Sequence, residues 1–230
     1  MLSHMSNERI FTTVISIFLV MISASLHEFG HAYAAYRCGD ETAKRAGRLT
    51  LNPFAHIDRF GSIVLPLIMG LMGGPVLAFA KPVPYNPNNL RIVQRDEVIV
   101  AFAGPVANLL QAAVGAIVCR LLLGNAIALG RVVGDDVIYW IYRIAATYVY
   151  VNCSLAFFNL IPLPPLDGSS IISPLLKGEA RRKYYVVQHY SLPILMVLLY
   201  VIPMVTHLDP LGLYLDMTAG RLADLMLGWV

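Results

Sequence analysis

His27 and His31 stand four residues apart, with Glu28 beside the first, in the run His27-Glu28-Phe29-Gly30-His31. On an α-helix, residues i and i+4 share a face, so both imidazoles can grip one metal ion. Glu28 can then reach a water on that ion. Zinc brings the pKa of such a water towards 7 and polarises a carbonyl. A carboxylate beside it can take the water's proton and later hand it to a leaving amine. The spacing therefore supplies the parts for hydrolysing a peptide bond. A chance match to so short a pattern is a fair alternative in a polar helix. Here the run ends an apolar stretch, 10–36, where each ionisable group costs a few kcal/mol. A bound metal gives the three residues a common purpose.

Two histidines are too few, because a catalytic zinc takes three protein ligands and keeps one position open. Asp167 is the candidate third ligand. It follows Asn159-Leu-Ile-Pro-Leu-Pro-Pro-Leu. Pro162, Pro164 and Pro165 cannot continue a helix, so the chain is expected to unwind into an extended strand that turns the Asp167 carboxylate inward. The alternative is an N-cap for a short helix opened by Gly168 and Ser169. Capping preference alone leaves these two readings level, and the unfilled ligand position favours the first.

Asn108, in the run Phe102-Ala-Gly-Pro-Val-Ala-Asn108, also has two readings. Gly104 and Ala107 permit close helix packing, with the Asn108 amide bonding a neighbouring backbone; alternatively the amide donates to a developing oxyanion. Asn159 is read as ordering the proline-rich segment or touching a substrate. His56, in Asn52-Pro-Phe-Ala-His56, is read as a polar loop histidine at the interface, or as one near the metal or the cavity mouth. His4, His189 and His207 have no ligand spacing.

The elements that must hold these residues are apolar. The chain has 230 residues, of which 57% are hydrophobic and 13% charged. A soluble domain carries roughly a quarter charged residues, so a multi-span membrane protein is expected. A span needs about 20 mostly apolar residues. Candidates are 10–36, 61–80, 98–123, 137–161 and 190–205, with a more polar tail at 211–230 that either spans or lies at the interface. The expected fold is an all-α polytopic membrane protein, with about five to six transmembrane or re-entrant segments around a buried zinc site. Residues 1–230 form one membrane-embedded domain. Its motifs lie in 23–170, and a last span and amphipathic tail lie in 189–230. Cys38, Cys119 and Cys153 make no CxxC pair and read as small apolar fillers.

The net charge of +3 is spread over short loops instead of forming a patch, which speaks against a nucleic-acid partner. Lysines and arginines concentrate in 37–60, 81–97 and 166–189, and this places those three loops on the cytoplasmic side. The segments flanking 61–80 are then on one side, so that stretch is expected to be a re-entrant hairpin turning at Gly73-Gly74-Pro75. His27 lies about 15 Å of helix from the basic side, and Asn108 about 16 Å. If 61–80 is re-entrant, the two should meet at a similar depth, where Asp167 joins them.

His27–His31, the Asn108 run and the segment from Asn159 to Gly168, in this order on separate spans, together resemble the site-2 protease family of intramembrane metalloproteases. The likeness covers roughly 23–170 and includes the intervening Leu51-Asn-Pro-Phe-Ala-His-Ile-Asp and Ala80-Lys-Pro-Val-Pro-Tyr-Asn-Pro. It implies one zinc per chain held by His27, His31 and Asp167. Glu28 would be the base, and Asn108 would steady the substrate carbonyl or oxyanion. The implied substrate is a membrane protein with a transmembrane segment, cleaved in contact with the lipid bilayer of the cell membrane. No connecting segment is long enough to hold a PDZ-like or CBS-like insertion, so the minimal subgroup is expected. A metal-ion carrier would not need Glu28 and would favour inverted repeats, which the chain lacks. A non-catalytic metal-binding scaffold would not need the complete set.

Overall fold

Backbone amides in hydrocarbon must find partners within their own segment, so apolar stretches of this length are expected to be helical. The computed structural model describes residues 7–56, 58 and 81–228, and among these every regular element is a helix. The elements are α1 (Asn7–Arg37), the single turn α2 (Thr42–Arg45), α3 (Val93–Gly124), α4 (Ala126–Val133), α5 (Asp135–Asn159), the short α6 (Asp167–Ile172) and α7 (Gly178–His189). Two more helices run on through a wider turn. They are α8 (Ser191–Met196, Val197–Val201, Ile202–Thr206) and α9 (Pro210–Leu215, Asp216–Gly220, Arg221–Gly228).

Among the described residues, two helices are long and apolar enough to cross a membrane, Phe11–Arg37 and Val93–Gly124. A third crossing results if α7 and the part of α8 from Pro193 to Thr206, bent by 61°, count as one. The expected hairpin at 61–80 lies outside the described residues. On α3, Leu110, Val114, Ile117 and Leu121 form an exposed stripe at helical spacing. In water such a stripe is a liability, whereas in lipid it is the natural outer face.

The bundle is closed by small residues. Helices in lipid gain no hydrophobic drive from burial against one another and associate by close packing. Gly30 of α1 backs onto α3 so closely that a Cβ there would stand 2.7 Å from the Ala103 carbonyl oxygen. Ala112 of α3, Val149 and Cys153 of α5, and Ala219 and Ala223 of α9 form one buried seam. The tail thus packs along the bundle as a helix, and Tyr150 donates a further hydrogen bond to Asp224. Cys119 and Cys153 are buried free thiols, in keeping with a filler role.

The chain leaves α1 and enters α3 at one face. The Arg91 N–H donates to the Cys38 carbonyl at 3.1 Å. Between them, Asp40 organises a strap. Its buried carboxylate accepts from Thr42 N (3.0 Å), Thr42 Oγ1 (2.5 Å), Asn89 Nδ2 (2.8 Å) and Asn86 N (2.7 Å). Burial alone would raise the Asp40 pKa, but these donors outweigh it and hold the carboxyl below the usual range. A depressed folded pKa contributes stability above the unfolded value, near 4. That contribution is lost as pH falls through the folded value. Asp40→Asn turns an NH₂ group towards donors and is expected to cost about 1–3 kcal/mol at neutral pH. Melting curves in detergent should show the acid-side loss of stability blunted in the variant.

One local expectation is corrected. Past Asn159 the chain does unwind, but into successive turns instead of an extended strand. Leu163 N donates to Ile161 O at 2.8 Å, and Leu166 N to Leu163 O at 3.0 Å. Three prolines within four residues remove the donors a strand ladder would use, and local turns satisfy the remaining amides.

Candidate metal centre

The i, i+4 spacing does on α1 what the sequence requires. The His27 and His31 rings meet edge to face, with centroids 4.6 Å apart and Nε2 atoms 3.0 Å apart. Asp167, the first residue of α6, places Oδ2 3.0 Å from His27 Nε2 and Oδ1 3.2 Å from His31 Nε2. Among the described residues these three form the group able to hold a metal ion, with donor atoms all within 4.8 Å of one another. Leu166 occupies the N-cap position of α6 and makes no side-chain cap bond. The capping alternative for Asp167 is therefore not what the structure adopts.

Two glycines make this convergence possible. At Gly168 a Cβ would stand 2.5 Å from the Ile161 carbonyl oxygen and also collide with the Leu160 carbonyl, so the turn can fold back only without a side chain. Gly104, on α3, faces the imidazoles directly. A Cβ there would meet His31 Nε2 and stand 2.6 Å from His27 Nε2. By sequence alone Gly104 is a packing residue. Its place under the ring nitrogens emerges only from the crossing of α1 with α3.

The donor set fits zinc. Tetrahedral bonds of about 2.0–2.1 Å put ligand atoms roughly 3.3 Å apart, close to the 3.0, 3.0 and 3.2 Å found. The far ring nitrogens are committed elsewhere: His27 Nδ1 lies 2.5 Å from Asn108 Oδ1, and His31 Nδ1 lies 2.7 Å from the Val100 carbonyl. Each donates there, so in the neutral imidazoles both Nε2 atoms turn lone pairs towards the Asp167 carboxylate. Asp167 Oδ2 is buried and has no hydrogen-bond partner. Lone pairs at these distances are mutually repulsive without a shared cation, which a zinc ion would supply.

Glu28 is half-buried, and its Oε2 accepts the Val83 N–H at 2.8 Å. Val83 belongs to the strap 81–86, which runs free of helix and turn. The strap is tied down by Lys81, whose N–H donates to His56 O (2.8 Å) and whose carbonyl accepts from Arg48 Nη2 (2.7 Å). The Val83 contact is invisible to sequence reasoning, because a backbone donor leaves no signature in side-chain type.

The remaining expected residues fall in three places. Asn108 is fully buried and lies against His27. Its Oδ1 faces the ring, and its Nδ2 donates to Asn152 Oδ1 at 2.9 Å. Asn159 donates to the Leu155 carbonyl of its own helix at 2.9 Å. His56 is buried. Its Nε2 donates to the Thr50 carbonyl at 2.9 Å and closes the 50–56 loop on itself, while its backbone carbonyl accepts the Lys81 N–H; it is not among the metal-capable group.

The sequence profile of peptidase family M50 matches residues 15–137 and 123–202. The chain is 35% identical over 207 residues to "Putative zinc metalloprotease YwhC" of Bacillus subtilis, covering 89% of this chain and 86% of that protein. It is 33% identical over 179 residues to "Putative zinc metalloprotease Rip2" of Mycolicibacterium smegmatis, covering 78% of this chain and 64% of the relative. Against the Mycobacterium tuberculosis protein of that name it is 31% identical over 189 residues, covering 82% and 67%. No solved structure matches the chain.

Proposed function

The chain belongs to peptidase family M50, the site-2 protease family, and from that premise we propose that it is an intramembrane zinc endopeptidase. It hydrolyses peptide bonds within or near the transmembrane segment of membrane proteins. The observation that carries this reading is the meeting of His27, His31 and Asp167 beside α1, a helix apolar enough to span. Ionisable groups at that depth are expensive unless they have a function.

Zinc, when bound by these three residues, supplies a Lewis acid that polarises the scissile carbonyl and acidifies water. Glu28 takes the proton of the attacking water and delivers it to the leaving nitrogen. Asn108 steadies His27 through its ring Nδ1. A substrate helix must unwind first, because its carbonyls are hydrogen-bonded. The strap 81–86, beside Glu28, is the segment best placed to receive the unwound chain edge-on. In this reading α5 and α8 also cross the bilayer, and 37–60, 81–97 and 166–189 face the cytoplasm.

Metal removal in vesicles tests the proposal. Full-length protein reconstituted with membrane-anchored reporters is expected to cut them in or beside the membrane segment, as mapped by mass spectrometry. A chelator should stop cleavage and added zinc should restore it. Chelator-insensitive cleavage, or cuts confined to the soluble part of the reporter, would overturn it. Zinc uptake into the vesicle lumen without cleavage would favour a carrier instead.

A further inference from the structure

Asn152 belongs to none of the three motifs, yet it is fully buried in α5, where an unpaired amide would be costly. Both hydrogens of its Nδ2 are used, one on the Tyr148 carbonyl at 3.0 Å and one on Ser23 Oγ at 3.0 Å. Its Oδ1 accepts from Asn108 Nδ2, and Asn108 Oδ1 faces His27 Nδ1. We propose that Asn152 is a positioning residue that, through Asn108, fixes the tautomer of His27 and keeps its Nε2 free for the metal. This rests on the metal-site reading above.

The direction of the chain can be deduced from its far end. The Tyr148 carbonyl can only accept, so the face of Asn152 turned to it must be the NH₂. That turns Asn152 Oδ1 towards α3, and only the Asn108 NH₂ can satisfy it. Asn108 Oδ1 is then left facing the ring, so His27 Nδ1 must carry the hydrogen. A neutral imidazole has one such hydrogen, and Nε2 is therefore bare. With Asn108 reversed, Nδ1 would accept and the hydrogen would sit on Nε2, aimed into the metal site. His31 needs no relay, because the Val100 carbonyl, 2.7 Å from its Nδ1, dictates the same tautomer directly. His27 meets a side-chain amide instead, which can rotate unless a second amide holds it.

The neighbouring groups support the far end of the relay. Tyr148 OH donates to Gln111 Oε1 at 2.6 Å, and Gln111 Nε2 donates to the Ser23 carbonyl at 3.4 Å. Ser23 lies one turn before His27 on α1. The buried network thus joins α1, α3 and α5 immediately behind the ring, as outer-shell partners of metal ligands do.

The test is zinc affinity of the full-length protein by chelator competition. It compares wild type, Asn152→Leu, Asn108→Asp and the double variant. Asn152→Leu keeps the side chain's branching and removes the relay, and it is expected to weaken zinc binding about 10- to 100-fold. Asn108→Asp presents an acceptor on either face, so it should recover most of that loss when combined with Asn152→Leu and gain much less in wild type. A merely structural role for Asn152 predicts no such coupling. Histidine ¹⁵N resonances of metal-stripped wild type provide a check that needs no variant, with His27 expected in the Nδ1–H form. Wild-type affinity in Asn152→Leu, equal gains from Asn108→Asp in both backgrounds, or an Nε2–H tautomer would each overturn the proposal. Absence of zinc binding by wild type would instead overturn the metal site itself.

Discussion

Gly104→Ala is expected to abolish zinc binding, and peptide cleavage with it. The added methyl would lie within 2.6 Å of His27 Nε2 and against His31 Nε2. Flexible side chains ordinarily swing away from such a clash, but these two rings are pinned at their far nitrogens by Asn108 and Val100. The close seat of Gly30 on the Ala103 carbonyl, where even a Cβ has no space, sets how near α1 and α3 lie. The imidazoles must therefore leave their positions. A misplacement of about 1 Å already costs about 10²-fold in rate, and here two of three ligands move together. Metal analysis after gel filtration should show well below one zinc per chain, with no detectable turnover. Gly124→Ala, on the same helix, meets no atom within 4 Å and should behave as wild type. An active, zinc-loaded Gly104→Ala protein would contradict the crossing of α1 with α3 described above.

The part of this site legible in the sequence is the part written in residue type and period. His27, Glu28 and His31 declare themselves through helical spacing, and Asp167 through the ligand count and the prolines before it. The meeting of His27 with Asn108 is expected from helix rise measured from the basic loops, given a re-entrant 61–80, and the two side chains do touch. What stays hidden depends on relations between elements. Gly104 looks like any packing glycine until α1 is laid across it. Val83 acts through its backbone. Asn152 is masked by the aromatics of 137–161, although a buried amide in an apolar span is itself a signal. The turns at 160–166 escape because proline excludes a helix without specifying what replaces it. The burial of His56 escapes because a loop histidine carries no mark of its depth.

Glu28→Gln is expected to lower kcat by about 10²–10⁴-fold, the range for losing a general base, while zinc content stays at the wild-type level. Glu28 is outside the donor set, so its substitution leaves the ligands in place. The amide keeps an oxygen that can accept the Val83 N–H, so the strap stays where it is. Only the ability to take a proton is removed. Val83→Pro makes the complementary change. Pro82 and Pro84 have no N–H, so Val83 is the lone backbone donor among the three residues, and its bond to Glu28 Oε2 is 2.8 Å long. Deleting that donor leaves the base chemically intact but free to rotate, and the loss in kcat is expected to reach up to about 10²-fold, again with full zinc. Both variants thus separate chemistry from metal binding, whereas Gly104→Ala removes the two together. Cleavage at the wild-type rate by the Glu28→Gln protein would place the base elsewhere and remove Glu28 from the mechanism. A fully active Val83→Pro protein alone would leave Glu28 as the base and limit the strap to a role in holding substrate.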